Sequence, residues 1–254
     1  MVSASAQVSR TRPFYAEHAG AYDLLVTDPV EPWVVAVHER LVASGWSSAR
    51  VLDAGCGTGR HAAALAAMGH RVDLADASAQ LLAQAAARNP TASARCVDLC
   101  TFTTGTAYQA VMCRGVLNDL TTDTERDAVL HAFAGALTDG GLLFLDVRET
   151  EGSRRRADGL PRHRTADLGA HGILRFTSTV TWQSGQLHVT EDYELRRPGS
   201  PPEHSVFEFT MRPWSARELR DRLAAAGFDH VDIGPGVGRV TGDRLFVTGG
   251  VVRR

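Results

Sequence analysis

The chain has 254 residues, 44% of them hydrophobic, with 27 basic and 29 acidic side chains. This length and apolar content suffice for one large domain with a buried core. The charges nearly balance, so no overall field favours nucleic acid or a membrane surface as a partner. No run approaches the length of a membrane span, no signal peptide is apparent, and the four cysteines form no CxxC pair. We therefore expect a cytoplasmic protein.

The N-terminal segment is rich in aromatic residues and precedes the first sheet-like run. A helical pattern, PWVVAVHERLVASG, follows the aromatic positions. Because this part of the chain comes before the sheet, we expect residues 1–48 to form a helical segment outside it. Such a segment either packs on the surface or closes over a site as a lid. Its aromatic side chains include Phe14, Tyr15, Tyr22 and Trp33.

Residues 49–150 alternate short apolar runs with amphipathic stretches. Strand-like runs lie at ARVLDAG, HRVDLADAS, SARCVDL, YQAVMCRGVL and GLLFLDVRE. Helical patterns such as RHAAALAAMG and ASAQLLAQAAARNP separate several of them. This alternation predicts a mostly parallel sheet with helices on both faces.

The pattern changes after residue 150. Residues 151–170 are charged and turn-rich, which predicts an irregular connection. The runs ILRFTSTVTW and QLHVTEDYEL then alternate apolar and polar residues around a Ser-Gly turn, and HSVFEFTMRPW adds a third strand. We predict an antiparallel insertion over residues 151–213, followed by a capped helix and a strand hairpin over residues 214–254. Side chains of the insertion with functional potential, each also explained by strand packing, are His163, Trp182, His188, Tyr193 and His204.

The stretch VLDAGCGTGRH places a glycine loop directly after the first predicted strand. Its spacing fits the dinucleotide fingerprint G-x-G-x-x-A through Gly57, Gly59 and Ala62. Asp76 lies at the distance expected of a ribose-binding acid. Spacing therefore leaves an NAD(P)-dependent oxidoreductase open as an alternative.

The charges around the loop favour a different cofactor. Asp53, Asp76 and Asp98 end the first three predicted strands, and in an open α/β sheet these strand ends line the ligand crevice. Three carboxylates would repel a diphosphate. They suit a cofactor that has no phosphate and carries positive charge, such as S-adenosylmethionine.

The strings VLDAGCGTG, DLADAS, CVDL and AVMCRGVLNDL together resemble the class I S-adenosylmethionine-dependent methyltransferases. The resemblance covers residues 14–148 and the last two strands. It implies an α/β fold with a Rossmann-like doubly wound, mostly parallel seven-stranded sheet and an antiparallel β insertion after strand five. Residues 1–254 would form a single methyltransferase domain, with its cofactor-binding core at residues 49–150.

The aromatic N-terminal segment and the insertion are similar to the small-molecule branch of that family. This branch includes glycine N-methyltransferases and the N,N-dimethyltransferases of amino-sugar biosynthesis. The resemblance implies methyl transfer from S-adenosylmethionine to a nitrogen or oxygen atom of a small molecule. The composition, rich in alanine and arginine and poor in lysine, indicates a high-GC bacterial source, in which we expect a role in secondary metabolism. A cofactor-binding regulatory protein without turnover stays open as another alternative, and the insertion allows a homodimer.

The resemblance also implies cofactor contacts. Asp53 would hold the ammonium group, Asp76 the ribose hydroxyls and Asp98 the adenine amino group. Tyr22 would approach the sulfonium, and Cys113 and Arg114 would offer a main-chain carbonyl. The remaining expected contacts, which are backbone or neighbouring positions, are Gly55, Cys56, Gly57, Ala77 and Leu99.

The acceptor site is predicted near the ends of strands four and five. We expect Arg114 and Arg148 to seat an acidic or polar acceptor, and Asn118 to orient the nucleophile as a catalytic residue. The alternatives are surface ion pairs for the arginines and a turn or helix cap for Asn118. Displacement at a sulfonium needs no metal, and the histidines lack ligand spacing, so we expect no metal site. The absence of an Asn-Pro-Pro-Tyr element disfavours nucleic acid bases as acceptors.

Overall fold

The structure, a computed structural model, describes residues 3–252. Its strands, in chain order, are β1 (Arg50–Ala54), β2 (Arg71–Asp76), β3 (Ala94–Cys96), β4 (Tyr108–Arg114), β5 (Leu137–Arg148), β6 (Arg162–Asp167), β7 (Ile173–Gln183), β8 (Gln186–Arg196), β9 (Glu203–Met211), β10 (Phe228–Pro235) and β11 (Arg244–Val251). Its α-helices are α1 (Ala4–Thr11), α2 (Tyr22–Leu25), α3 (Glu31–Ala43), α4 (Arg60–Ala67), α5 (Ala79–Arg88), α6 (Asp123–Ala136), α7 (Thr150–Arg156) and α8 (Ala216–Ala225).

Within the described residues, seven strands form a main sheet in the order β10-β11-β5-β4-β1-β2-β3. The pairs among β1 to β5 are parallel, whereas β11 runs antiparallel to both β5 and β10. The predicted fold class is confirmed: the sheet is mostly parallel, and the insertion follows β5. Strand order reverses beside β1, so the ends of β1 and β4 border the crevice where such sheets bind ligands.

The main sheet has a hydrophobic core on each of its two faces. Residues along the central strands alternate between these two cores. On β1, Val51 faces α3, α4 and α5, while the next residue, Leu52, faces α6 and α8. Ala110 and Val111 on β4 divide in the same way. Successive strand residues point to opposite faces, so an apolar run buried on both sides requires helices on both sides.

A second sheet, the insertion sheet, has the order β6-β7-β8-β9 and is antiparallel throughout. The predicted hairpin turn occurs at Ser184 and Gly185, which both have positive φ, 50° and 82°. The irregular connection predicted over residues 151–170 is wrong, because α7 and β6 lie there. Strand β6 lacks an alternating apolar pattern because it is an edge strand, a position where charged and polar side chains are common. Ala166 is its one buried residue.

The N-terminal segment joins the insertion sheet to the core. Phe14 and Leu25 pack against the insertion sheet. At the other side, the carboxylate of Asp23 accepts a hydrogen bond from Thr58 (2.6 Å) in the glycine loop and pairs with Arg88 (2.7 Å). The segment therefore covers the crevice at the end of β1. Within residues 3–252, every helix is too short or too polar to span a bilayer.

Candidate active site

The glycine loop between β1 and α4 turns sharply, with positive φ at Gly55 (77°), Gly57 (55°) and Gly59 (74°). Three of its backbone N–H groups are already paired. Those of Gly55 and Cys56 donate to the carbonyl of Ala75 (2.7 and 3.1 Å), and that of Gly57 donates to Asp76 (2.8 Å). A phosphate-binding loop needs free N–H donors. These three donors are therefore not available to the diphosphate of a dinucleotide, which weighs against the oxidoreductase alternative.

Gly55 has a second constraint besides its backbone angle. A Cβ atom at this position would collide with the side chain of Val116, which follows β4. The loops after β1 and β4 are thus pressed together, and a glycine is required where they meet. At Gly57, by contrast, an added Cβ would face open space, with the ring of Tyr22 3.9 Å away.

Two cavities lie beside the glycine loop. The inner cavity, of about 80 Å³, is lined by Asp76, Ala77, Asp98 and Leu99. The outer cavity, of about 330 Å³, extends from Asp53 to the insertion sheet. The residues that line both cavities, and so form their shared wall, are Tyr15, Tyr22, Gly55, Gly57, Arg114, Gly115 and Asp119.

Asp53 is a buried carboxylate that lacks a full set of partners. Only 4% of the residue is exposed, and its Oδ2 atom accepts no hydrogen bond within the described part of the chain. Burial, and then the nearby charge of Asp76, raise the pKa of Asp53 to about 7, against the lowering effect of Arg114. A ligand that brings a cation to this position would supply the missing partner.

Asp76 and Asp98 both line the inner cavity, but their pKa values are shifted in opposite directions. Asp76 accepts from the N–H groups of Gly57 and Ser78, one on each oxygen (both 2.8 Å), so each oxygen keeps a free acceptor position. Burial raises the pKa of Asp76. Burial also acts on Asp98, but hydrogen bonds from Ser3 and Cys100 outweigh it and lower the pKa of that carboxyl.

The structure brings most of the expected cofactor residues to the two cavities. Tyr22 and Arg114 lie in the shared wall, and Asp53 and Cys56 line the outer cavity. Cys113 differs: it is fully buried and lines neither cavity. The chain alternates at the end of β4, so Cys113 points into the core beside α6 while its neighbour Arg114 faces the ligand space. The proposed carbonyl contact stays a prediction.

Arg148 and Asn118 have protein partners that the sequence did not reveal. Arg148 lines the outer cavity, but its guanidinium is paired with the buried Asp243. The side chain of Asn118 is used by the backbone: its Oδ1 accepts from the N–H of Arg148 (2.7 Å), and its Nδ2 donates to the carbonyl of Gly115 (3.3 Å). With 1% of the residue exposed, Asn118 is placed to join the loops after β4 and β5.

We expect Asn118→Ala to lower the free energy of unfolding by about 1–3 kcal/mol, because two backbone groups would lose their partners in a buried place. Urea denaturation monitored by circular dichroism measures this change. The sequence-based hypothesis, that Asn118 orients the nucleophile, expects the opposite result. Stability would then be unchanged while turnover falls.

Several cavity residues were not singled out from the sequence. Arg12 lies between the rings of Tyr15 and Phe209, 4.4 Å from each ring centre, and forms an ion pair with Glu191. Arg239 and Arg244 both pair with the buried Asp146 (2.7 and 3.0 Å). These contacts join segments that are far apart in the chain, so no local motif marks them. Asp119 differs from these residues, because the run CRGVLNDL already places it next to Asn118, near the predicted acceptor position.

The residues present fit S-adenosylmethionine. Asp53 offers an unpaired, buried oxygen for an ammonium group, and Asp76 keeps one acceptor position on each oxygen for two ribose hydroxyls. Leu99 and Leu81 give the inner cavity apolar walls that suit an adenine ring. The N–H groups of Gly55, Cys56 and Gly57 are already bonded within the protein, so they are not free to bind a phosphate.

Comparison with known proteins agrees with this site. A family model described as a methyltransferase domain matches residues 51–141. The chain is similar to the dTDP-3-amino-3,6-dideoxy-alpha-D-glucopyranose N,N-dimethyltransferase of Streptomyces fradiae, with 34% identity over 100 residues. That stretch is 39% of this chain, and it spans 39% of the relative's length.

Solved structures resemble the fold over most of its length. A S-adenosylmethionine-dependent methyltransferase from Clostridium acetobutylicum gives a TM-score of 0.79 at 14% identity, covering 93% of this chain and 98% of that one. CalS10 from Micromonospora echinaspora, an amino pentose methyltransferase with S-adenosylmethionine bound, gives a TM-score of 0.68 at 26% identity, covering 85% and 89%. The chain is thus similar to a methyltransferase domain over residues 51–141, and it shares its fold with S-adenosylmethionine-dependent methyltransferases.

Proposed function

We propose that this protein transfers a methyl group from S-adenosylmethionine to a nitrogen atom of a small molecule that also carries an anionic group. The observation that carries the proposal is a large cavity rich in arginine, which shares a wall with the cofactor cavity. The cofactor supplies an activated methyl group, so the protein needs mainly to align the acceptor with it. Methyl transfer to an oxygen atom of the acceptor is the second candidate reaction.

On the cofactor side, we propose the roles that the sequence suggested. Asp53 holds the ammonium group and Asp76 the ribose hydroxyls, and the unpaired oxygen of Asp53 supports the first assignment. Asp98 and Leu99 border the adenine. Tyr22, in the shared wall, stands close to the reacting centre.

On the acceptor side, charge supports an anionic substrate. Among the described residues, nine arginines line the outer cavity, against four carboxylates. Three of these arginines, Arg114, Arg148 and Arg244, have an Nε–H buried without a hydrogen-bond partner. Burial, followed by repulsion from Arg239, lowers the pKa of Arg114 to about 10. Buried cations that repel one another are stabilised by a bound anion.

The pKa of Arg244 is lowered further than the pKa of Arg114. Burial lowers its pKa to about 9, with further contributions from Arg148 and Arg239. Asp146 and Asp243 offset part of this positive charge. We therefore place the anionic part of the acceptor near Arg114, Arg148 and Arg244, where two of the predicted substrate residues lie.

The name of the Streptomyces fradiae relative describes an amino sugar linked to a nucleoside diphosphate. That chemistry combines an amine with an anion, which is the combination that this cavity favours. A nucleotide-linked amino sugar is therefore the first acceptor class to test. Secondary metabolism, as in the CalS10 description, is the setting we propose.

The test is a methyl-transfer screen with purified protein and S-adenosylmethionine. The panel pairs nucleoside-diphosphate amino sugars with the same amino sugars lacking phosphate, and adds phenols and amino acids. We expect mass spectrometry to detect a methylated product from the phosphorylated amines, with kcat/KM at least about tenfold lower for their unphosphorylated counterparts.

Two other outcomes would contradict the proposal. Tight cofactor binding without turnover on any acceptor would favour a regulatory protein. Firm binding of NADH without binding of S-adenosylmethionine would favour an oxidoreductase. Calorimetric titration with both cofactors separates these outcomes before an acceptor is known.

A cytoplasmic location and a homodimer stay predictions. The four cysteines, Cys56, Cys96, Cys100 and Cys113, are all free, which is consistent with a reducing compartment. The insertion sheet exposes Val206 and Ile173, 60% and 45% accessible, on strands that a second copy could contact. Size-exclusion chromatography with light scattering tests the oligomeric state.

A further inference from the structure

Asp119 lies where the two cavities meet. It belongs to their shared wall together with the rings of Tyr15 and Tyr22. Among the described residues it is the one carboxylate that lines both cavities. A methyl group passes from a donor to an acceptor at the boundary between their binding spaces, so Asp119 stands beside the path that the proposed function requires.

The carboxylate of Asp119 is not used by the fold. Its backbone N–H is held by the carbonyl of Val116 (2.9 Å), which fixes the loop. Within residues 3–252, no hydrogen bond or ion pair is formed by its side chain, in contrast to Glu191, which pairs with Arg12 and accepts a hydrogen bond from Tyr193. A carboxylate left without partners at a cavity wall is placed to bind a ligand.

The surroundings of Asp119 contain charges of both signs. Burial raises the pKa of its carboxyl to about 6, although Arg12, Arg148 and Arg244 act to lower it, and Glu191 adds to the increase. The three arginines come from the N-terminal segment, β5 and β11, and Glu191 comes from β8. A proton or another cation near Asp119 is therefore favoured despite the arginine-rich cavity.

We propose that Asp119 is a catalytic residue that binds the amino group of the acceptor and stabilises the positive charge which that nitrogen gains. This inference rests on the proposed function. In the reaction a nitrogen–carbon bond forms while the carbon–sulfur bond breaks, the bonding electrons stay on sulfur, and the positive charge moves to nitrogen. Asp119 then accepts one proton from the methylated ammonium and passes it to solvent. Atoms and charge balance without another reactant.

The role of Asp119 can be tested without knowing the acceptor. Sinefungin carries an amino group where S-adenosylmethionine carries its reactive methyl group, whereas S-adenosylhomocysteine carries nothing there. We expect the wild-type protein to bind sinefungin more tightly than S-adenosylhomocysteine at pH 7.5. In Asp119→Asn this preference, measured as the ratio of the two Kd values by calorimetry, should fall about tenfold.

The ratio isolates Asp119 from the rest of the site. Asp53 faces the ammonium group that both ligands share, so its effects cancel. The matched control is Asp192→Asn, an exposed carboxylate on the opposite face of β8 from Glu191. This control should leave the ratio unchanged.

A second measurement uses the wild-type protein and does not depend on the folding of a variant. Asp119 is ionised above pH 6 and neutral below it, so the preference for sinefungin should decline as pH falls through about 6. A ratio that is independent of pH from 5 to 8, or equal in Asp119→Asn and wild type, would overturn this inference alone. If neither ligand binds, the proposed function fails as well.

Discussion

Replacing Asp53 by Asn should lower the affinity for S-adenosylhomocysteine about thirtyfold at pH 8, because an ammonium group would lose a buried carboxylate partner. The pH dependence should change too. The folded protein holds the pKa of Asp53 near 7, and only the ionised form pairs with the ligand. Wild-type affinity should therefore rise about tenfold per pH unit below 7 and level off above it. Calorimetric titration from pH 5.5 to 8.5 measures both effects.

Ionisation of Asp53 favours ligand binding, but in the protein without ligand it lowers the free energy of unfolding. A carboxyl whose pKa is raised by folding binds protons more tightly in the folded state, so the free protein should lose stability as pH rises from about 4 to 7. Asp53→Asn should weaken this loss, and Asp76 should account for part of the remainder. Asp229→Asn, an exposed carboxylate on β10, is the control and should retain wild-type affinity. Flat affinity across this pH range in the wild type would show that Asp53 does not hold the ligand.

Arg126→Met should lower the free energy of unfolding by about 3–5 kcal/mol. Arg126 is fully buried, and its guanidinium lies 3.7 Å from the ring centre of Trp214. It donates to the carbonyls of Leu120 (3.0 Å), Arg212 and Pro213 (3.2 Å). The substitution leaves these three carbonyls without that donor, in a place where water is excluded. Urea denaturation measures the loss.

The position of Arg126 explains why the effect is large. It ties α6 to the loop after β4 and to the start of α8, and Glu218 pairs with it at 2.9 Å. Arg217→Met on α8 is the matched control, since its side chain is 92% exposed and its one ion pair, with Asp221, spans 3.8 Å. That change should cost less than about 0.5 kcal/mol. A loss below about 1 kcal/mol for Arg126→Met would contradict the role assigned to it.

The acids and the glycine loop beside the inner cavity could be predicted from the sequence because their determinants are local. Each of Asp53, Asp76 and Asp98 follows an apolar strand pattern, and parallel strands bring those ends to one edge of the sheet. The glycine loop is equally local, since Gly55 and Gly57 adopt backbone angles that other residues rarely take. The hairpin at Ser184 followed from alternation and a turn signal.

The acceptor side depends on contacts between distant segments. Arg148 reads as a substrate residue from its place at the end of β5, yet it pairs with Asp243, which lies 95 positions later in the chain. Burial raises the pKa of Asp119, and Glu191 on β8 adds to the increase, while three arginines from other elements act to lower it. No local pattern connects these groups to Asp119. Edge strand β6 is polar, so its pairing with β7 also left no apolar signal.

The sequence by itself determined the sheet, the glycine loop and the acids beside it, because hydrophobic periodicity and backbone restrictions act over a few residues. Only the tertiary structure decided which charged groups are neutralised by the protein and which line the cavities without a partner. Charge pairing depends on distance in space, and the N-terminal segment, the insertion and β11 meet at the outer cavity only after folding.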